Sequence, residues 1–283
     1  MRILVYFLFL FIIPDLSVAQ KPITIDDIYA KNAFRTKSVP GFNFMKDGRH
    51  YTSQREGSIR KFDITTGSLV ETIFEAKEYK DKSGFSGTLG KYTFSADESK
   101  ILIESESQPI YRHSSKVNCF VFDIKSKTLT RIYKHGKIVN PAFSPDGEHV
   151  GFVFNNNLYF QSVKSGNVTQ ITTDGVKNKI INGMCDWVYE EEFSFTRAFY
   201  WSPDSKKIAF IRFDETKVPE FTMQLFKDGM YPENEVFKYP KVGEKNADVS
   251  AWVYEMSKGK SSKVDLGEMS DMYIPRMKWT NDP

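Results

Sequence analysis

"PAFSPDGEHVGFVF" (141–154) and "FYWSPDSKKIAFIRF" (199–213) decide how this chain folds. In both, an aromatic closes one apolar run, Ser-Pro-Asp follows, and the next run alternates apolar and polar residues. Pro presets a turn dihedral and Asp bonds the backbone two residues on, so the motif is a hairpin corner between two strands. "FNFMKDGRHY" (42–51) and "YTFSADESKILIES" (92–105) carry a weaker form of the same corner. The aspartates are Asp47, Asp97, Asp146 and Asp204, so the sequence repeats at intervals of about fifty residues. A fifth start, "MKWTNDP", occupies residues 277–283.

Second turn signals come later in the repeats. "FDITTGSLVETIF" (62–74), "FVFDIKSKTLTRIY" (120–133) and "YFQSVKSGNVTQIT" (159–172) join two further strands through short polar loops. One repeat therefore holds about four short antiparallel strands, the content of a β-propeller blade. A β-sandwich would space its turns similarly but without the recurring signature. The expected fold is all-β: a propeller of four-stranded antiparallel blades, about four of them present, with a short helical acidic insertion. Four blades and an opening strand leave unpaired edges, which implies that residues 20–283 are the N-terminal part of a larger propeller. A self-contained four-bladed propeller is the alternative.

Composition bounds the function. Of 283 residues 15% are aromatic, which favours sheet over helix. The 39 basic and 36 acidic residues nearly cancel and form no long runs, which gives no argument for nucleic acid. His50, His113, His135 and His149 show no close pairing and there are only two cysteines, Cys119 and Cys185. No metal or other cofactor is expected, and at most one disulfide.

The chain begins "MRILVYFLFLFIIPDLSVAQ": one Arg, a short apolar core, then small residues. That is the pattern of a signal peptide over residues 1–19, cleaved after Ala19, and it predicts export to the periplasm or the medium. The apolar core is short for a bilayer span, although an uncleaved anchor is the rival reading.

The repeats are unequal, and the surplus is where function tends to sit. Before "WSPDS" the chain inserts "DGVKNKIINGMCDWVYEEEFSFTRAF". Period-two alternation is lost there, and three glutamates favour a helical turn. On a helix Glu190, Glu191 and Glu192 fan over about 200°, so two neighbours can face one ligand but not all three. A solvated acidic face is the plain alternative, although flanking aromatics point to partial enclosure.

"DWVYEEEF" followed by "WSPDSKKIAFIRFDETKVPEF" resembles the propeller of the dipeptidyl peptidase IV family. "PIYRHSSKVNCFVFDI" (109–124) is similar to that family's Arg-His-Ser segment, and "YPENEVFKYPKVGEKNADVSAWVY" (231–254) to its Tyr-Pro-Lys-x-Gly stretch. The acidic motif is specific, whereas Ser-Pro-Asp corners occur in many propellers. The resemblance implies a serine exopeptidase that removes dipeptides, commonly with Pro or Ala second, from a free amino terminus. It implies that Glu191 and Glu192 hold the substrate's ammonium and that Arg112 contacts its backbone carbonyl and supports them. Glu190 is expected to turn away and bond backbone or a nearby base. Trp187 and Tyr189 are expected to pack the turn in place.

The family's nucleophile sits on a Gly-x-Ser-x-Gly elbow in an α/β-hydrolase domain. That pattern is absent from this chain; "SGFSGTLG" (83–90) lacks the second Gly at the required place. The catalytic domain is accordingly expected beyond residue 283, and full-length members are commonly homodimers. The rival reading is a non-catalytic propeller that binds peptides or partner proteins.

Overall fold

The computed structural model describes residues 22–36, 41–268 and 271–280. The apolar leader, its expected cleavage point after Ala19, and Asp282 lie outside the described residues. The chain separates into two compact units, Met1–Pro40 and Gly41–Pro283. The first holds α1 (Ile25–Tyr29), started by a capping box in which Thr24 Oγ1 accepts from Asp27 N and the Asp27 carboxylate accepts from Thr24 N.

The second unit is built on the repeated corner. Ser95, Ser144 and Ser202 each donate their hydroxyl to the aspartate two residues on. The same hydroxyls accept from the backbone N–H five residues on: Lys100 at 3.0 Å, His149 at 2.9 Å and Lys207 at 2.9 Å. Asp97, Asp146 and Asp204 in turn accept from the N–H of Ser99, Glu148 and Lys206. One Ser-x-Asp unit thus satisfies the orphan donors of a tight reversal. The first corner has Met45 where the others have Ser, and there His50 takes over, its Nδ1 2.6 Å from Asp47 Oδ2. Bonds to the ionised carboxylate, from His50 and Ser95 respectively, hold Asp47 and Asp97 down at about 2.

Four blades follow. Blade one is β1 (Phe42–Phe44), β2 (His50–Arg55), β3 (Ser58–Asp63) and β4 (Leu69–Glu75), antiparallel in that order, followed by a short helix, α2 (Ala76–Tyr79). Blade two is β5 (Tyr92–Phe94), β6 (Lys100–Pro109), β7 (Ser115–Asp123) and β8 (Thr128–Ile132). Blade three is β9 (Ile138–Phe143), β10 (His149–Phe154), β11 (Asn157–Ser162) and β12 (Val168–Gln170). The insertion supplies β13 (Ile180–Asn182) and then α3 (Trp187–Phe193). Blade four is β14 (Phe199–Trp201), β15 (Lys207–Asp214), β18 (Asp248–Glu255) and β19 (Lys260–Lys263). A separate hairpin, β16 (Glu220–Leu225) with β17 (Glu233–Lys238), interrupts it.

Period two sorts each strand's side chains between neighbouring blades. From β6, Ile101 and Ile103 join Phe120 and Phe122 of β7 and Ile59 and Phe74 of blade one in one core. The intervening Leu102, Val117, Cys119 and Val121 face the other way, onto Val150 and Phe152 of blade three. A third core joins blades three and four through Phe160, Phe199, Trp201 and Phe210. The approach is close enough that a Cβ on Gly151 would lie 2.8 Å from the Phe199 ring. Each fully buried Phe contributes roughly 1.5–3 kcal/mol, so these three interfaces dominate stability.

Two features depart from a run of separate blades. The β6–β7 hairpin is long, and the start of β7 pairs with β9 at Lys116–Val139 and Val117–Ile138, joining blades two and three into one sheet. The β16–β17 hairpin pairs with no strand of blade four. Cys119 and Cys185 are buried free thiols in different cores, not a disulfide. No helix among the described residues is long and apolar enough to cross a membrane.

Candidate functional site

Two insertions meet at the site: the tip of the β6–β7 hairpin and helix α3. Ile110 N donates to Ser114 O at 2.9 Å, closing a tight loop that carries Tyr111, Arg112 and His113. Helix α3 starts at Asp186, whose side chain accepts from Tyr189 N at 2.9 Å, the usual N-cap arrangement. It ends at Ser194, which adopts the left-handed conformation (φ 57°).

The helical fan separates the three glutamates. Glu190 is 1% exposed, and its Oε1 accepts from His113 N at 2.6 Å and Ser114 N at 2.9 Å. Its partner is backbone, the backbone of the Arg112 loop. Glu191 is half-buried, with Oε2 3.3 Å from Arg112 Nε. Glu192 is exposed. Enclosure of the acidic run therefore belongs chiefly to Glu190, and the carboxylates left to face a ligand are Glu191 and Glu192.

The aromatics hold this arrangement. Tyr189, 2% exposed, packs edge-on against Phe193, Phe195 and Phe213, and its oxygen accepts from Ile274 N at 2.7 Å. Trp187 meets Tyr239 with ring centroids 4.4 Å apart. Beside the loop lies a cavity of about 440 Å³, lined by His113, Lys91, Glu104, Asn140, Arg197 and Tyr200 among others. His113, the residue after Arg112, lines it, whereas Arg112, Glu191 and Glu192 do not. Among the described residues no cluster of three or more His, Cys, Asp or Glu side chains could hold a metal.

Residues 95–283 match the family model described as the dipeptidyl peptidase IV N-terminal region. The chain belongs to the dipeptidyl peptidase IV family. A probable dipeptidyl-aminopeptidase B from Botryotinia fuckeliana is 33% identical over 288 residues, covering 92% of this chain and 31% of the relative. Another, from Chaetomium globosum, is 35% identical over 214 residues, covering 68% of this chain and 23% of the relative. The crystal structure of Porphyromonas gingivalis dipeptidyl peptidase 4 superposes with a TM-score of 0.84 at 35% identity, covering 92% of this chain and 37% of that one. The chain thus spans between 23% and 37% of the length of these family members.

Two buried acids, Asp186 at the N-cap of α3 and Glu215 just after β15, were passed over in the sequence. Burial lifts Asp186 to about 6. Glu215, 5% exposed, is lifted to about 8 by burial and by the Asp186 charge, against the pull of Lys238. The stretch "FDETKVPEF" carries Asp214, Glu215 and Glu220 together, and no local rule says that Glu215 alone of the three is buried. A carboxyl whose folded pKa is raised stabilises the fold fully below its unfolded value, and loses that contribution as pH climbs through the folded value. Asp186 completes its loss near 6, so between about pH 6 and about pH 8 the Glu215 contribution should still be falling away. Urea midpoints should decline across that window in the native protein, and the decline should flatten in Glu215→Gln. Equal slopes in the two proteins would show that Glu215 is already ionised at neutrality.

Proposed function

We propose that this chain is the substrate-recognition propeller of an exported serine dipeptidyl peptidase, with Glu191 and Glu192 receiving the free amino terminus of a peptide. A terminal ammonium carries three N–H donors and a full charge, and two carboxylates can satisfy it. Arg112, 3.3 Å from Glu191, offsets part of their mutual repulsion and leaves donors free for the peptide's first carbonyl. The observation that carries this reading is Glu190, which ties the Arg112 loop to the glutamate helix through two backbone N–H groups. Anchoring the terminus fixes how far along the peptide the scissile bond lies, which is how dipeptides, with Pro or Ala second, would be measured off. The nucleophile and its Asp and His partners are assigned to a hydrolase domain outside this chain. The names of the similar dipeptidyl-aminopeptidases support that assignment.

The test uses the full-length protein with an Ala-Pro chromogenic substrate in free and N-acetylated forms. Cleavage of the free form and at least about 100-fold poorer cleavage of the acetylated form is expected, because acetylation removes the charge the pair binds. Equal cleavage of both would reject the ammonium role. Peptide binding with no cleavage of either would favour a non-catalytic propeller.

A further inference from the structure

The stretch "VPEFTMQLFKDGMYPENEVFKY" (218–239) forms the β16–β17 hairpin, which pairs with no other strand among the described residues. Two isolated strands are marginal in water, so something other than sheet pairing must fix this one. Its base is an aromatic cluster. Phe221 and Phe237 face each other across the register at 5.7 Å, and Phe221 lies 5.6 Å from Tyr239. Tyr239 N donates to Pro219 O at 3.1 Å, and the buried Lys238 donates its ammonium to Val218 O at 2.7 Å. Asn178, upstream of α3, donates to Val236 O at 3.2 Å.

That cluster touches both halves of the ion pair. Phe237 packs on Tyr111 at 5.9 Å, and Tyr111 is the residue before Arg112. Tyr239 packs on Trp187 at 4.4 Å, and Trp187 stands four residues before Glu191 on α3. Positions four apart share a helix face, so a displacement of the Trp187 ring carries Glu191 with it. None of these five rings belongs to the three inter-blade cores. We propose that the base of the β16–β17 hairpin sets the Arg112–Glu191 geometry, with Tyr239 as its positioning residue. This rests on the ammonium site proposed above and adds a distant element that controls it.

In the full-length protein, Tyr239→Ala should lower kcat/KM for a free-terminus dipeptide substrate by about 10-fold, since misplacement by a fraction of an ångström at a binding anchor costs that much. Tyr239→Phe keeps the ring and should restore activity to within about 2-fold. If Tyr239 acts through the ion pair, Tyr239→Ala made in an Arg112→Met background should add less than about 2-fold, whereas a general loss of stability would add in full. Phe221→Ala, at a half-exposed hairpin position, should shift kcat/KM in the same direction with little risk to folding. Wild-type kcat/KM in Tyr239→Ala and Phe221→Ala, alongside a loss in Glu191→Gln, would overturn the positioning role alone. Full activity in Glu191→Gln would remove the ammonium site, and this inference with it.

Discussion

Replacing Glu190 by alanine should lower the thermal midpoint of the protein and, in the same step, cut its activity. The side chain is almost wholly buried and is the acceptor for two backbone donors, His113 N and Ser114 N. Each buried donor left without a partner costs about 1–3 kcal/mol. A loss of about 3 kcal/mol in a unit of this size corresponds to roughly 6–12 °C. Activity should fall with it, because those donors belong to the loop that presents Arg112. Glu190→Gln is the informative companion. Its carbonyl oxygen can still accept both N–H groups, so it gives up only the charge-assisted part of each bond, about 1 kcal/mol or less apiece. Calorimetry and steady-state kinetics on the two variants should therefore separate clearly. A Glu190→Ala protein that melts within about 2 °C of wild type would mean other contacts hold the loop, and that Glu190 is only a buried charge.

The blades were legible because their corner is a local device: Ser-x-Asp satisfies its own hairpin within five residues, and the alternation beside it is read directly as facing. The same locality allowed a helical turn to be read at the three glutamates. The site was harder, since its chemistry joins positions 112 and 191 and no short-range rule links them. Arg112 entered only through the family resemblance. Glu190 was expected to bond backbone or a base, but that the backbone is that of the Arg112 loop could not be read, because its donors lie more than seventy residues away in sequence. The β16–β17 hairpin was missed for a different reason. Its alternating "FTMQL" and "NEVFK" were legible, but it has no counterpart in the other repeats, so a reading organised by the repeat had no place for it. The thiols illustrate the limit of counting. Two cysteines permit one bridge, but period two places Cys119 between blades two and three, and Cys185 follows β13 into the core between blades three and four.

The largest effect should come from Glu191 and Glu192. Glu191→Gln keeps the shape of the side chain and removes one negative charge from the place where an ammonium would sit. Charge-assisted bonds of this kind are worth about 1.5–3 kcal/mol, so kcat/KM on free-terminus dipeptide substrates should drop by roughly 13- to 160-fold. Glu192→Gln should lose less than Glu191→Gln, because Glu192 is exposed to water whereas Glu191 is half-buried and held by Arg112. The loss should appear in kcat as well as in KM, since a terminus that is no longer anchored also lets the scissile bond drift. Stability is the control for mechanism. The side chains are 72% exposed at Arg112 and 14% at Glu191, and a pair with its cation in solvent contributes little to folding. Arg112→Met and Glu191→Gln should therefore both melt like wild type while both lose activity, the signature of a binding site and not of a structural brace. The N-acetylated substrate completes the case, because it brings no ammonium and should be cleaved equally poorly by wild type and variants. Wild-type kcat/KM in both Glu191→Gln and Glu192→Gln on free-terminus substrates would reduce the acidic helix to a solvated face.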